Sequence, residues 1–211
     1  MHVAFHVNPS QAHQREHAQW FKDCITDLTI TDDINLSADI HIVSGPHYAK
    51  QRWIGHPRVL LLDRAYLPEH QVKSKWVSED WVSLGWMTEN GGRIFKSGIG
   101  RPPVIPKDRR TGSGTIFLAD YAGPVEQADT VRLHPSRESN PESLLDALSR
   151  HSRAIGYSTT ALVTAYLEGL EVISRDPEHI LNQGPELLPY ADWHYSEIQS
   201  GEAWEHLCQQ L

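Results

Sequence analysis

A chain of 211 residues is long enough for one large domain, or for two small α/β units that share a cleft. Hydrophobic residues make up 39% and charged residues 22%, as in globular proteins, and no apolar run approaches the ~20 residues that cross a bilayer. The formal net charge of −8 argues against a general nucleic-acid-binding protein. The sequence therefore predicts a globular protein without a membrane partner.

The charge is unevenly distributed along the chain. Residues 43–115 carry twelve Lys and Arg against six Asp and Glu, whereas residues 116–211 carry five against fifteen. The middle of the chain is therefore basic, and its local charge matters more than the sum.

The N-terminus and the cysteines indicate the compartment. Residues 1–7 lack the basic region and long apolar stretch of a secretory signal and favour a first strand, which predicts a cytoplasmic protein. Cys24 and Cys208 lie at opposite ends of the chain without metal-type spacing, so we expect two free thiols.

The first half of the chain opens as strand, turn and helix. Residues 2–7 form the strand, and Ser10 is the expected N-cap of a helix that runs to about Cys24. Residues 38–44 and 58–63 are apolar runs bounded by Gly and Pro, typical of strands buried on both faces. Together they predict a small, mostly parallel sheet.

A change in composition marks the boundary between two units. Trp76, Trp81 and Trp86 alternate with polar residues and are expected in the core. From Asn90 to Gly114 the chain is rich in Gly, Pro, Lys and Arg. We therefore predict a first α/β lobe over 1–112, whose residues 92–112 form a basic loop.

The second lobe is predicted over 113–192 from a regular alternation of strands and helices. The expected strands are 115–119, 130–133, 153–156 and 171–174, with helices over 141–151 and 160–167. Asn140 is the expected N-cap of the first helix, and Gly169 ends the second. Such alternation predicts right-handed crossovers in a Rossmann-like, doubly wound sheet. Residues 193–211 follow as a C-terminal helix that is expected to pack across both lobes.

A strand-to-helix turn in the second lobe suggests phosphate binding. Gly156–Thr160 places hydroxyl groups and free backbone N–H groups of Ser158, Thr159 and Thr160 where a helix dipole favours an anion. The alternative is that Ser158 or Thr159 only caps the helix. Arg132, His134 or Arg137, which follow another strand of the same sheet, could approach the same crevice and donate to phosphate oxygens.

These segments resemble the nucleotide-sugar half of GT-B glycosyltransferases, in particular bacterial sialyl-, Kdo- and polyol-phosphate transferases. The resemblance is carried over about 60 residues by Arg132-Leu133-His134-Pro135, by Ser158-Thr159-Thr160 and by Glu168-Gly169 before a strand. It implies a compact two-lobed α/β fold and a nucleotide-sugar co-substrate. It also implies that His134 contacts the phosphates, that residues 158–160 cradle them, and that Glu168 bonds the ribose hydroxyls. A solvated helix end is the alternative for Glu168.

The whole chain also resembles uncharacterised proteins of tailed bacteriophages. The resemblance is carried by residues 44–48, 61–66 and 193–198. No established activity comes with it, but it makes hydroxymethylated pyrimidines in phage DNA a candidate acceptor.

A glycosyl transfer needs a carboxylate or another base near the acceptor hydroxyl. Asp63 is the first candidate, because it ends a buried strand where polar groups meet at a crevice. Its alternative is a pair with Arg64 or a turn cap. Asp120, after the strand at 115–119, is a parallel candidate that could equally be a turn residue.

The basic middle and one histidine pair raise two further possibilities. A loop with six cationic residues could follow a phosphate backbone, and the alternative is a solvated linker. Its candidate nucleic-acid contacts are Arg93, Lys96, Arg101, Lys107, Arg109 and Arg110. His13 and His17 share one helix face and could begin a metal site, but no third ligand is identifiable and no metal is predicted.

The sequence thus predicts a compact GT-B-like glycosyltransferase with a nucleotide-sugar donor. Two other classes stay open: a non-catalytic nucleotide- or sugar-binding phage protein, and a DNA-binding accessory protein whose Rossmann unit is a scaffold. The sequence leaves the oligomeric state open.

Overall fold

The structure of the chain is a computed structural model that describes residues 1–45, 52–71, 80–98, 100–140 and 142–211. Its contacts divide the chain into two units. The first unit is Met1–Pro102 together with Glu186–Leu211, and the second unit is Pro103–Pro185.

The elements alternate between strands and short helices, and no helix in the described ranges is long and apolar enough to cross a bilayer. In chain order they are β1 (Val3–His6), α1 (Ala12–Trp20), β2 (Leu28–Thr31), β3 (Ile40–Ser44), β4 (Val59–Arg64), β5 (Trp81–Met87), β6 (Arg93–Ile94), β7 (Thr115–Leu118), β8 (Thr130–Arg132), α2 (Leu144–Ser149), β9 (Arg153–Gly156), α3 (Ala161–Leu167), β10 (Glu171–Ser174), α4 (Ile180–Gln183), β11 (Asp192–His194), α5 (Tyr195–Gln199) and α6 (Glu202–Cys208). Two 3-10 helices, Pro68–His70 and Pro185–Tyr190, complete the set in these ranges.

The first unit is built on a mixed sheet with the strand order β11-β5-β4-β3-β1-β2, and β6 pairs with β5. Strands β2, β1, β3 and β4 are parallel, whereas β5 runs antiparallel to β4 and to β11. The predicted strands at the start of the chain and at 38–44 and 58–63 are confirmed, and they pair in parallel, but the sheet as a whole is mixed.

Alternation along the strands separates two faces of this sheet. Phe5, Ile42 and Leu60 point into a core that also contains Phe21 of the segment after α1. The opposite face carries a smaller cluster that includes Trp53. Because β1, β3 and β4 are buried on both faces, their sequences read as continuous apolar runs.

The C-terminal tail belongs to the first unit and is helical only in part. Asp192–His194 is a strand on the edge of the first sheet, and two short helices follow it. One continuous helix over 193–211 was expected and is not formed, because Gly201 adopts a φ of +89° between α5 and α6. Trp193 and Leu207 pack into the first core.

The second unit contains a four-stranded parallel sheet with the order β10-β9-β7-β8. All four predicted strands are confirmed within one residue of their bounds. Leu148, Leu162 and Ala165 of α2 and α3 pack on Ile116 and Leu118 of the sheet. The unit is therefore Rossmann-like, and the whole chain is α/β.

Local details of the second unit differ from the expectation. Ser143, not Asn140, caps α2 by accepting a hydrogen bond from the Asp146 N–H, while the Asn140 side chain donates to the Leu133 carbonyl. The segment before β7 belongs to this unit, because the Lys107 N–H donates to the Leu167 carbonyl at 2.8 Å. The observed boundary therefore lies between residues 102 and 103, ahead of the predicted one.

The first helix also starts differently. Ser10 does not cap α1, because its N–H and hydroxyl both donate to Asn8 Oδ1, and Gln11 stands at the N-cap position. Trp76, Pro141 and part of the phage-like segment 44–48 lie outside the described residues.

Candidate functional site

Both parallel sheets contain a point where the strand order reverses. In the first unit β1 is flanked by β2 and β3, and in the second β7 is flanked by β8 and β9. In open α/β sheets, ligands bind beyond the carboxyl ends of the strands at such points. Each unit therefore has one position where a site is expected.

A cavity of about 610 Å³ lies at this position in the first unit. The loop after β1 and the first turns of α1 contribute Asn8, His13 and His17 to its wall. The ends of β3 and β4 contribute Ser44 and Asp63. The predicted base thus lies in the wall of a cavity, at the edge where the sheet topology places a ligand.

A backbone N–H and a guanidinium hold the carboxylate of Asp63. One carboxylate oxygen accepts a hydrogen bond from the Arg64 backbone N–H at 2.8 Å, and the other lies 3.6 Å from the guanidinium of Arg93. Arg93 is 9% exposed and also donates to the hydroxyls of Ser83 and Tyr66, at 2.8 and 2.7 Å. The carboxylate is therefore oriented by its neighbours while about 29% of its side chain stays exposed.

Two histidines on one face of α1 line the same cavity. The His17 ring packs 5.7 Å from His13 and 4.5 Å from Trp20, and His17 is 6% exposed. Burial lowers the pKa of His17 to about 4, and burial together with Arg64 lowers the pKa of His13. Both rings are therefore neutral at pH 7.

The histidine pair was considered in the sequence only as the start of a metal site. Within the described ranges, no group of three or more His, Cys, Asp or Glu side chains could hold a metal ion. The i, i+4 spacing after β1 instead places His13 and His17 in the cavity wall. The i, i+4 spacing was the feature of the sequence that could have placed these two histidines in the wall of the cavity.

In the second unit, Asp120 and Ser158 meet at the carboxyl ends of β7 and β9. The Ser158 backbone N–H and hydroxyl donate to Asp120 Oδ2, at 3.1 and 3.3 Å. Burial raises the pKa of Asp120, and the bonds from Ser158 oppose that effect. The turn that was expected to bind phosphate therefore binds a carboxylate of the same unit.

The remaining residues of the turn have local roles. The Thr159 hydroxyl accepts a hydrogen bond from the Ala161 N–H at 3.3 Å, while Thr160 stands at the N-cap of α3 without a side-chain cap bond. The Thr159 hydroxyl thus bonds the first turn of the helix, while phosphate binding by this turn stays a prediction.

His134 follows β8 at the same edge of this sheet. Its Nδ1 lies 2.7 Å from the Ser136 hydroxyl, and its ring packs against Tyr121. The guanidinium of Arg137 donates to the Gly123 carbonyl at 3.3 Å, whereas Arg132 donates to the Glu142 carbonyl at 3.0 Å.

Glu168 lies at the other end of α3 from the turn. Its carboxylate is 17% exposed and binds the ammonium of Lys107 at 2.8 Å and the guanidinium of Arg110 at 3.1 Å. These contacts fasten the segment before β7 to the end of α3. The structure does not bring Glu168 together with Asp120 and Ser158.

The other candidate nucleic-acid contacts also have partners inside their own units. Lys96 donates to the Gln210 carbonyl, Arg101 pairs with Glu197 and stacks 4.0 Å from the Trp193 ring, and Arg109 lies 3.4 Å from Glu171. Each of the six candidate cations therefore has a partner within its own unit, although Lys107 and Arg109 stay largely exposed.

No protein-family model matches the chain, and no curated protein matches it. Among solved structures, the chain is similar to KpsC of Thermosulfurimonas dismutans, a β-Kdo 2,7 transferase, with a TM-score of 0.47 and 10% sequence identity. The match covers 97% of this chain and 99% of that chain.

Proposed function

We propose that the protein is a glycosyltransferase that moves a sugar from a nucleotide-sugar donor to an acceptor hydroxyl. The observation that carries the proposal is the cavity at the switch point of the first sheet, whose wall includes an oriented carboxylate, Asp63 at the end of β4. In this assignment the first unit takes the acceptor and the second unit takes the donor.

Asp63 is assigned as the base. It removes the proton of the acceptor hydroxyl as that oxygen attacks the anomeric carbon of the donor, and the nucleotide leaves with the electrons of the broken bond. The hydrogen bond from Arg64 and the guanidinium of Arg93 fix the direction of the carboxylate, so little reorganisation accompanies the reaction.

The donor is assigned to the turn at residues 158–160, with His134 as a further contact to its phosphates. Asp120 is the obstacle to this assignment, because its carboxylate already bonds Ser158. For a phosphate to bind here, the Asp120 carboxylate must leave Ser158 or take up a proton, and burial, which raises its pKa, makes the second route less costly.

The test is turnover of Asp63→Asn with a donor found by thermal shift among UDP, CMP, GDP and ADP sugars. We expect turnover to fall by about 10² to 10⁴, because that is the usual contribution of a general base. The affinity for the donor should stay unchanged. Asp80→Asn, at an exposed position of the same unit, is the matched control and should keep full turnover. Undiminished turnover in Asp63→Asn would remove Asp63 from the mechanism.

A second candidate is a nucleotide- or sugar-binding protein without catalysis. It is favoured by the pairing of Asp63 with the buried Arg93, which is also what a structural carboxylate does. Selective donor binding without transfer to any acceptor would support this candidate.

Modified phage DNA stays a predicted acceptor, and a DNA-binding accessory role stays the third alternative. The internal partners of Arg93 and Arg101 give neither of them support. Salt-dependent binding of duplex DNA in the absence of nucleotide would favour the accessory role.

A further inference from the structure

His17 has unused hydrogen-bonding capacity in the wall of the cavity of the first unit. It is 6% exposed, and neither of its ring nitrogens has a hydrogen-bond partner among the described residues. His151 is a useful contrast, because it is 8% exposed and both of its nitrogens are bonded, to the Ala147 carbonyl at 2.8 Å and the Thr130 hydroxyl at 2.9 Å.

A buried polar group without a partner destabilises a fold, and natural proteins have few of them. An apolar ring of similar size at position 17 would pack against Trp20 and avoid this loss of stability. The presence of a histidine at this position therefore suggests a partner that comes with a ligand.

The other polar groups of the wall indicate the chemistry of that ligand. Asn8 Oδ1 accepts a hydrogen bond from the Ser10 N–H, and Gln14 Oε1 accepts one from the Asn8 N–H at 2.6 Å. The oxygen of each amide is thus engaged, and its NH₂ group is the part left to donate to a ligand. Among the described residues that line the cavity, the charged ones are Asp63 and Arg64, which have opposite signs.

We propose that His17 is a specificity-determining residue, which bonds a hydroxyl of a neutral saccharide acceptor and disfavours a phosphate-bearing one. A hydroxyl both donates and accepts, and so it suits a neutral imidazole, which has one donor and one acceptor nitrogen. A phosphate would need cationic donors. The ring of His17 is neutral at pH 7, and the positive charge of Arg64 in the same wall is opposed by the negative charge of Asp63.

Both nitrogens are shielded in the wall, so the ring must turn about its Cβ–Cγ bond to meet the ligand. This rotation breaks no hydrogen bond to a described residue, and the preference of such a terminal torsion is broad. That the bound saccharide is an acceptor rests on the proposed function, whereas the binding of a saccharide by His17 does not.

The first experiment compares the thermal stability of His17→Phe and His151→Phe with that of the unaltered protein. We expect His17→Phe to raise the Tm by about 2–4 °C, because it removes two unpaired buried nitrogens. His151→Phe should lower the Tm, because it leaves the Ala147 carbonyl and the Thr130 hydroxyl without their partner. A fall in Tm for His17→Phe as large as that for His151→Phe would overturn the proposal.

The second experiment follows the ring signals of ¹⁵N-histidine-labelled protein by NMR. Methyl α-D-glucopyranoside, methyl β-D-galactopyranoside and the methyl glycoside of N-acetylglucosamine are titrated against inorganic phosphate and a short single-stranded DNA. We expect at least one glycoside to shift the His17 ring signals, and the phosphate and the DNA to leave them in place. Movement with phosphate or DNA alone, or with none of the probes, would overturn the proposal.

The two experiments separate this proposal from the proposed function. If a glycoside shifts His17 but no donor supports transfer, the glycosyltransferase assignment fails and the saccharide site stands. If transfer occurs and His17→Phe leaves the choice between saccharide and phosphate-bearing acceptors unchanged, the role of His17 fails and the glycosyltransferase assignment stands.

Discussion

Asp120 and Ser158 are 38 positions apart in the sequence and meet through two hydrogen bonds, from the Ser158 N–H and hydroxyl to one Asp120 oxygen. Each was predicted as a site residue, but their pairing depends on the neighbouring positions of β7 and β9 in the sheet. The pairing changes the expected chemistry of the turn, because a phosphate would meet the carboxylate before it met the N–H of Ser158.

We predict that Asp120→Asn binds the nucleotide donor more tightly, by about threefold to tenfold at pH 7.5. An amide oxygen can still accept the bond from Ser158, while the negative charge that repels the phosphates is gone. Titration calorimetry with the donor would measure the change. Because the pKa of Asp120 is raised, lowering the pH protonates it and should reduce the difference between the two proteins.

The control for this prediction is Asp129→Asn. Asp129 accepts a hydrogen bond from the Thr115 N–H at the amino end of β7, so its charge lies at the opposite edge of the same sheet. Its substitution should leave the donor affinity unchanged. Weaker binding by Asp120→Asn would mean that the carboxylate itself contacts the donor, for example at a ribose hydroxyl.

At the scale of elements, the end of α3 explains the Glu168-Gly169 pair without a ligand. Gly169 has a φ of +82°, and a Cβ there would lie 2.3 Å from the Asp108 carbonyl oxygen. Glu168 binds Lys107 and Arg110 of the same approaching segment. The two residues together hold residues 107–110 against the helix.

We predict that Gly169→Ala lowers the free energy of unfolding by about 3 kcal/mol or more, because it adds a backbone clash to the strain of a positive φ. Gly55→Ala is a matched control, since Gly55 has a φ of +84° and nothing within 4 Å of the added Cβ. Gly55→Ala should lower the free energy of unfolding by about 1 kcal/mol. Equal effects in urea denaturation would show that the close approach at Asp108 relaxes freely.

The predicted strands were those whose signal is local. β7 to β10 are short apolar runs between turn residues, and all four were found. β2 was missed although Leu28–Thr31 alternates apolar residues with threonine, which is itself a local strand signal. β11 was missed because Trp193 fits a helix face equally well, and only its pairing with Val82 of β5 makes it a strand residue.

The sequence allowed us to predict where the site residues lie in the fold, but not which side chains contact them. Asp63 was expected at a crevice because it ends a buried strand, and it lines the cavity of the first unit, while its catalytic role stays a prediction. The ion pair of Asp63 with Arg93 requires the register of β4, β5 and β6, which the sequence does not show. Arg93 was therefore predicted as a nucleic-acid contact, although its guanidinium is buried in the first unit.

At the scale of the whole molecule, the two units differ in their buried histidines and in their tryptophans. Five described histidines whose pKa is lowered by burial all lie in the first unit: His6, His13, His17, His41 and His206. All seven tryptophans also fall in the chain segments of the first unit. Tryptophan fluorescence therefore reports the unfolding of that unit alone.

We predict that the first unit becomes less stable as the pH falls from about 6.5 towards 4. The pKa values of these five histidines are lowered in the fold and lie near 6.5 in the unfolded chain, so the unfolded state binds more protons in this window. This contribution to stability is complete above pH 6.5 and is lost progressively below it. Urea denaturation followed by tryptophan fluorescence at several pH values would measure the slope.

In His17→Phe the slope should be shallower, because one of the groups that titrates between 6.5 and about 4 is gone. Amide hydrogen exchange in residues 115–174 would measure the stability of the second unit over the same pH range. Equal loss of stability in both units over this window would contradict the prediction.

The division of the chain has a consequence for its synthesis. All of Pro103–Pro185 lies between the two segments of the first unit, and Trp193, Ile198 and Leu207 of the later segment fill the first core. The ribosome therefore finishes every residue of the second unit before the first unit can close its core. Domains generally fold as units during synthesis. The second unit can therefore fold before the first unit is complete, although translation of the first unit begins earlier.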